Sequence, residues 1–430
     1  MSDQTSRSLA RDALVRVEDG AYSNVLLPAM LRRSTLSTRD RAFATSLVYG
    51  TLRRLRRIDA LLDEFGRRPV TALDPPVRAV LRLGAAQLLD GVPAHAAVSE
   101  TVGAAPRRAR GYVNAVLRAL AANGPPWPEP ADDAVALSYP DWIVRRLEAD
   151  LGEADGRAAL VVQNEPAAVT LRPNPTRTGV DALERELAAA GLSVEHGALV
   201  PEALIVRGTG DPAALPAVAE GRATPQDQAS QAVVDVLAPQ TGDRVLDVAA
   251  APGGKATACA ERVGESGLVV ATDVDVGRLR LVGDARRRLG LSQLSRCVAD
   301  GRRLPARPGA FDRVLVDAPC SGLGVLRRRP EARWRVDEAS IEPLADLQVE
   351  LVVAAATAAR VGGVVVYSVC TTTREETTEV TERVRVALGA SFAPISAPGG
   401  PWRGWGDGAL LLPQDAGTDA MFVFGLRRGR

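Results

Sequence analysis

Two cysteines stand where a reactive thiol could be put to use. Cys320 lies in Asp317-Ala318-Pro319-Cys320-Ser321-Gly322 and Cys370 in Tyr367-Ser368-Val369-Cys370, each just beyond a short apolar run that reads as a strand. A lone cysteine in a sheet protein is most often a small buried hydrophobe. Two at the ends of neighbouring parallel strands would face one pocket, although 50 residues separate them in sequence. A thiolate is a strong nucleophile, but only a few per cent of free thiol is ionised near neutrality, so a cation or a helix N-terminus must raise that fraction. The remaining cysteines, Cys259 and Cys297, make no C-x-x-C pair, and His95 and His196 are isolated. A metal site and a disulfide scaffold are therefore not expected, and any general base must come from Asp, Glu or Cys.

The cation is at hand. The stretch Asp247-Val248-Ala249-Ala250-Ala251-Pro252-Gly253-Gly254-Lys255 follows the apolar run Arg244-Val245-Leu246 and precedes a helix-compatible segment, Ala256 to Arg262. A strand, a turn of small residues and a helix N-terminus make a site where backbone N–H groups can face a ligand. A phosphate-binding loop would need Gly at Ala249 and Ser or Thr at Ala256, and the dinucleotide pattern G-x-G-x-x-G is absent. A nucleoside cofactor without a pyrophosphate remains, and S-adenosylmethionine fits that description. Of the 53 basic residues 52 are arginine, and Lys255 is the only lysine. A compact ammonium fits a tight turn where a guanidinium fork does not, which marks Lys255 as a residue serving the site. Asp273, after the next strand, is placed for ribose hydroxyls; Asp300, after the third, is placed for an adenine amine; Asp317 closes the fourth.

These residues need a sheet to hold them. From Gln226 onwards the apolar runs Val245–Val248, Gly267–Thr272, Leu294–Ala299, Arg313–Asp317 and Gly363–Val369 alternate with helical segments, the clearest from Ala339 to Arg360. That alternation predicts an α/β fold with a parallel, doubly wound, Rossmann-like sheet over residues 226–430, whose ligands bind beyond the carboxyl ends of the strands. Leu410–Leu412 and Met421–Gly425 are expected to add an antiparallel pair at one edge. Residues 125–225 begin with the proline-rich linker Gly124-Pro125-Pro126-Trp127-Pro128 and a helix from Asp141 to Leu151. They continue as a small α+β unit, with strands at Ala168–Arg172 and Ala203–Val206 and helices at Val180–Ala190 and Asp211–Val218. Residues 1–124 carry helical stripes, such as Val77, Val80, Leu81, Gly84 and Leu88, and predict an all-helical bundle.

The chain of 430 residues is too long for a single core. Its net charge of +1 conceals an asymmetry: residues 1–125 hold 19 arginines against 11 acids, a surplus of +8, and the remainder is at −7. A basic helical domain on an acidic remainder points to an anionic partner, nucleic acid being the commonest. The longest apolar candidate for a membrane span, Leu351 to Tyr367, is interrupted by Arg360, and the N-terminus lacks the apolar core of a signal peptide, so a cytoplasmic protein is expected.

A thiolate beside a methyl donor suits one reaction in particular. Carbon 5 of a pyrimidine is too poor a nucleophile to take a methyl group directly. A thiolate adding at carbon 6 turns the ring into an enamine that can, and a second group must then remove the carbon-5 proton so that the first thiol can leave. One covalent and one eliminating cysteine meet both needs.

At these residues the chain resembles the Fmu/RsmB (Sun) family of RNA cytosine-5 methyltransferases. The resemblance runs over essentially the whole sequence. It includes the cofactor loop Ala249 to Lys255, the specific motif Asp317-Ala318-Pro319-Cys320-Ser321-Gly322, and a NusB-like RNA-binding module at the front, most characteristic at Tyr112-Val113-Asn114-Ala115-Val116-Leu117-Arg118. It implies Cys370 as nucleophile, Cys320 as the cysteine that assists product release, and Asp273, Asp300 and Asp317 as cofactor contacts alongside Ala249, Ala250, Ala251, Pro252, Gly253, Gly254 and Lys255. It implies S-adenosylmethionine as cofactor and small-subunit ribosomal RNA as partner. A transfer RNA substrate, or a ribosome-assembly role with weak or no activity, are the alternatives. Arg327-Arg328-Arg329-Pro330-Glu331 and Trp334 look like the family's following segment, whose arginines can hold phosphates. Three departures stand out. Val369 precedes the nucleophile where Thr is usual, Arg374-Glu375-Glu376-Thr377 replaces P-E-E-N, and Ala420-Met421 follows Gly417-Thr418-Asp419 in place of Gly-Phe.

Overall fold

The computed structural model describes residues 4–430, which divide into two compact units. The first comprises residues up to Arg146, Asn164–Pro166 and Leu326–Arg335. Seven helices build its bundle: Ser6–Glu18, Ser23–Arg33, Thr38–Arg53, Leu55–Phe65, Pro75–Leu89, Ala94–Ala104 and Arg110–Asn123. Pro75–Leu89 is the hub and is buried along most of its length, because apolar and small residues cover nearly its whole circumference rather than one stripe. Gly84 lets a neighbour approach closely there: a Cβ at that position would lie 2.4 Å from Leu117 Cδ1.

Leu326–Arg335 is threaded into this same unit. Arg333 is fully buried over the Tyr139 ring at 3.9 Å, and its guanidinium donates to Arg53 O, Ser138 O and Asn164 Oδ1. Glu331 accepts from Ser23 N and Oγ at 2.9 and 2.7 Å. The expectation that the arginines of this run are free to hold phosphates is thereby corrected for Arg327, which is 6% exposed with Nη2 turned to Pro166 O. Arg329 stays exposed.

The second unit holds two sheets. The smaller contains β1 (Val169–Pro173), β2 (Ser193–His196), β3 (Leu204–Arg207) and β4 (Ala223–Pro225), all antiparallel in the order β2-β3-β1-β4. The helix expected over Asp211–Val218 is instead a 3₁₀ turn, Pro212–Ala214, and one short helix, Pro216–Ala219, because a proline opens each piece.

The larger sheet contains β5 (Arg244–Val248), β6 (Leu268–Asp273), β7 (Leu294–Val298), β8 (Phe311–Asp317), β9 (Ala359–Val369), β10 (Phe392–Pro394), β11 (Arg403–Trp405), β12 (Gly408–Leu411) and β13 (Met421–Arg428), in the order β11-β12-β13-β9-β8-β5-β6-β7 with β10 on β13. Strands β9, β8, β5, β6 and β7 are parallel. Their side chains alternate between two cores: Val364 and Val366 join the helices Gln228–Leu237 and Gly254–Val263 on one face, while Val365, Tyr367 and Val369 join Ile341–Ala356 on the other. The doubly wound reading is thus realised, with two adjustments. The helix expected to reach Arg360 ends at Ala356, since residues from Ala359 on are drawn into β9 between two partners. The pair expected at an edge lies inside the sheet, because β13 hydrogen-bonds β9 from Phe422↔Val369 to Arg427↔Val364 and β11 covers β12.

Candidate functional site

Parallel pairing brings the carboxyl ends of five strands side by side. Val248 is opposite Val316, Asp317 opposite Ser368, and Asp273 opposite Val298. The loops that follow therefore emerge together in sequence-scattered order: the Cys370 loop, the Cys320 loop, the Ala249–Lys255 turn, Asp273 and Asp300.

The turn after β5 is held from within. Ala249 takes a left-handed φ of 59°, a strained choice for a residue with a Cβ. Ala250 N donates to Thr272 O at 2.8 Å, and Ala251 N donates to Asp273 Oδ2 at 3.2 Å. Asp273, 2% exposed, also accepts from Asp275 N at 2.9 Å, so it braces the loop while keeping lone pairs for a ligand. The helix Gly254–Val263 starts from Gly253 (φ 106°) with no side-chain cap, which leaves its first amides to a ligand. Asp300 is half-buried, caps the 3₁₀ turn Gly301–Arg303 and pairs with Arg302, whose guanidinium lowers its pKa to about 2.

Lys255 crosses from this turn to the next strand end. Its Nζ is 2.8 Å from Asp317 Oδ2, and Asp317 Oδ1 accepts from Ser368 Oγ at 2.8 Å. Burial works against the ammonium, but Asp317, Cys370 and Asp247 together outweigh it and raise its pKa. Beyond Asp317, Cys320 Sγ and Cys370 Sγ are 3.4 Å apart. The hydrogen bond to Cys370, followed by burial, pushes the Cys320 thiol far up. Cys259 is buried in the core and Cys297 lies on β7.

Asp247 is the surprise of the site. It ends the apolar run of β5, is fully buried, and neither carboxyl oxygen has a hydrogen-bond partner. Burial first, then repulsion from Asp317 and Asp273, pushes its pKa far up, partly countered by Lys255. A buried orphan acid beside a turn of small residues fits a cofactor bearing a sulfonium and an ammonium group, since either cation would supply the missing partner.

Three family models cover this chain in succession: the NusB family at residues 4–122, a ferredoxin-like domain of RsmF/B-like methyltransferases at 139–211, and the 16S rRNA methyltransferase RsmB/F family at 234–427. The chain is 36% identical over 441 residues to the ribosomal RNA small subunit methyltransferase B of Thermus thermophilus, covering 99% of this chain and 98% of that one. It is 36% identical over 379 residues to a probable ribosomal RNA small subunit methyltransferase B of Synechocystis, covering 84% of each. The chain belongs to the RsmB/F methyltransferase family. Its fold agrees over 99% of its length with the crystal structure of PH0851, at a TM-score of 0.84 and 25% identity, also over 99% of that chain. S-adenosylmethionine is the cofactor of this RNA methyltransferase family.

Two of the family departures have structural counterparts. Val369 is wholly buried in the apolar core against β13, where a hydroxyl is not required. Arg374 lies over the Trp405 ring at 5.2 Å and donates to Asp150 O, so it has a role as a strap in this RsmB/F chain.

Sequence reasoning passed over Asp247, Ser368 and Arg172. A charged residue inside an apolar strand was the available signal for Asp247. Arg172 on β1 is buried and forks onto Glu261 at 2.9 and 3.0 Å, with Gly254 O at 2.9 Å and Thr257 Oγ1 at 3.0 Å, steadying the cofactor-loop helix from the small sheet. Nothing local in the sequence announces a pair 89 residues apart. Among the described residues no cluster of His, Cys, Asp and Glu has the make-up of a metal site, and no helix is long and apolar enough to cross a membrane.

Proposed function

We propose that this chain methylates carbon 5 of a cytosine in small-subunit ribosomal RNA through a covalent cysteine adduct. The observation that carries the reading is the thiol pair, 3.4 Å apart, at the end of the Lys255–Asp317 ion pair. Residues 1–124, with their surplus of arginine, supply RNA binding, 125–225 the small α+β unit, and 226–430 the chemistry; acting on ribosomal RNA places the protein in the cytoplasm.

Ala249–Lys255, Asp273 and Asp300 hold the cofactor, with Asp317 between cofactor and base. In this reading Cys370 is the attacking thiol, its charge favoured by Lys255 and its proton passing to solvent. The Cys370 thiolate adds to carbon 6, forming the S–C6 bond and moving the ring electrons towards carbon 5. S-adenosylmethionine supplies an electrophilic methyl group to that carbon. Once Cys370 is an uncharged thioether it no longer raises the Cys320 thiol, which gives up its own proton to solvent. Cys320 then takes the carbon-5 proton, the C5=C6 bond re-forms, and the Cys370 thiolate leaves. Asp317 positions cytosine and cofactor throughout.

The test is to incubate Cys320→Ala with cofactor and small-subunit ribosomal RNA and run a denaturing gel. A trapped protein–RNA adduct is expected, absent from the variant that also carries Cys370→Ala. No adduct from Cys320→Ala would sink the covalent reading, and tritiated-methyl transfer into a transfer RNA pool instead would reassign the substrate.

A further inference from the structure

Five residues after Cys370 the chain begins a single π-turn, Glu375–Glu379, in place of the first turn of the helix Val380–Leu388. Such turns insert one extra residue and re-aim the side chains around it, which is why they collect at functional sites. Here the turn swings Glu376 inward, where it is completely buried. Among the described residues its carboxylate has no cation within salt-bridge reach, and it takes four donors instead. Oε1 accepts from Ser321 N at 2.8 Å and Gln348 Nε2 at 3.1 Å; Oε2 accepts from Ser321 Oγ at 2.5 Å and Thr373 Oγ1 at 2.9 Å.

The donors are placed around the thiols. Ser321 follows Cys320 directly. Gln348 Nε2 also donates to Pro319 O at 2.9 Å, so both neighbours of Cys320 are tied into the network. Since Ser321 Oγ gives its hydrogen to Glu376, the Thr371 hydroxyl, 2.9 Å away and next to Cys370, is the donor of that pair. Tyr367 Oη sits 2.8 Å from Gln348 Oε1 and 2.7 Å from Glu376 O, closing the base of the cluster.

The two cysteines depend on this network unequally. Cys370 follows the last residue of β9, which is paired on both sides, and its carbonyl accepts from Gly324 N at 2.9 Å. Cys320 lies in irregular chain three residues beyond β8. For it, the side-chain bonds at Pro319 and Ser321 stand in for a ladder.

We propose that Glu376 is a positioning residue that holds Cys320 against Cys370 and thereby sets the rate of adduct release rather than of adduct formation. This rests on the covalent reading above. Glu376 touches neither cofactor nor base in this role; it acts through Ser321 and Gln348.

The experiment follows the adduct in time with full-length protein, S-adenosylmethionine and an unmodified small-subunit ribosomal RNA transcript, quenched onto denaturing gels. Glu376→Gln keeps the size of the side chain, and the Ser321 and Thr373 hydroxyls can turn to accept from its amide, so it folds. Ser321→Ala removes only the hydroxyl that links Glu376 to Thr371. Both are expected to release adduct roughly tenfold more slowly, the scale of one lost hydrogen bond to a charged group, with adduct formation within about twofold and cofactor Kd unchanged. Release at the wild-type rate in both variants overturns the proposal. So does equal slowing of formation and release, or a shifted cofactor Kd, since a general loosening of the fold would produce those. If Cys320→Ala traps nothing in parallel, the covalent reading fails first; if it traps adduct while the Glu376 and Ser321 variants release normally, the positioning role alone is wrong.

Discussion

Asp247 and Glu376 are two carboxyl groups buried completely in the same unit, one beneath the cofactor turn and the other beneath the cysteine loops. Their surroundings are opposite. Glu376 receives four hydrogen bonds from the protein, and Asp247 receives none. A buried carboxyl is tolerable when its lone pairs are met, and costly when they are not. Glu376 is therefore finished by folding: it is part of the scaffold that fixes where thiols stand. Asp247 is left unfinished by folding, and on the reading proposed above a cation-bearing cofactor would complete it. If the proposed roles hold, the site combines both kinds, a satisfied acid that gives rigidity and an unsatisfied one that gives binding.

The comparison is broken most directly by removing each group. Glu376→Ala leaves Ser321 N, Gln348 Nε2 and two hydroxyls without their acceptor in a dry interior. Unfolding monitored calorimetrically should show the methyltransferase unit losing about 3 kcal/mol or more, a fall of roughly 6 °C or more in Tm. Asp247→Asn, which keeps the shape of a group that already lacks partners, should cost almost nothing at pH 5. A Glu376→Ala protein as stable as the wild type would mean that the four bonds contribute little and the contrast is empty.

The next effect is smaller and depends on pH. Asp247 has a pKa raised by burial and by repulsion from Asp317 and Asp273, so the folded chain keeps a proton that the unfolded chain releases near pH 4. With the folded state binding more protons, stability falls as pH rises from there through the folded pKa. Asn titrates nowhere. In the absence of cofactor, Asp247→Asn should therefore gain in Tm over the wild type between pH 5 and pH 8, and the gap should narrow when S-adenosylmethionine is added. A gap that does not change with pH would show that Asp247 is already ionised and partnered in the free protein.

How much of this was legible beforehand follows from how far apart the partners lie. The β5 strand, its turn and the helix after it are contiguous, so Ala249 to Lys255 could be read as a ligand turn from residue types alone. Asp273, Asp300, Cys320 and Cys370 could be placed because a parallel sheet sends all its strand ends to one side. The Glu376 network could not, since Ser321 is 55 residues away and only the π-turn brings the two together. Nor could β2, whose residues are mostly exposed and lack the apolar alternation that marks a strand. The interior place of β13 was hidden for a related reason: an apolar strand declares that it is buried, not which neighbours bury it. Arg327 shows the converse error, for an arginine-rich run reads as a solvated or phosphate-binding surface until one member is found buried with Nη2 turned to Pro166 O.

The smallest effect belongs to Asp300, the least buried member of the acid set, and it sharpens the contrast because it is satisfied by a surface arginine rather than by the interior. Arg302 holds its pKa at about 2, so the carboxylate is charged throughout the physiological range; whatever it adds is present above the ordinary carboxylate pKa and is lost only as pH falls towards 2. Asp300→Asn should leave Tm unchanged. It should weaken S-adenosylmethionine binding roughly fivefold, by taking one hydrogen-bond acceptor from the adenine amine. Titration calorimetry with S-adenosylmethionine and with an analogue lacking that amine decides the matter. The wild type should lose the same factor on going to the analogue, and the Asn variant should bind both equally. If the variant still discriminates between them, the amine is held elsewhere and Asp300 serves only to cap the turn at Gly301.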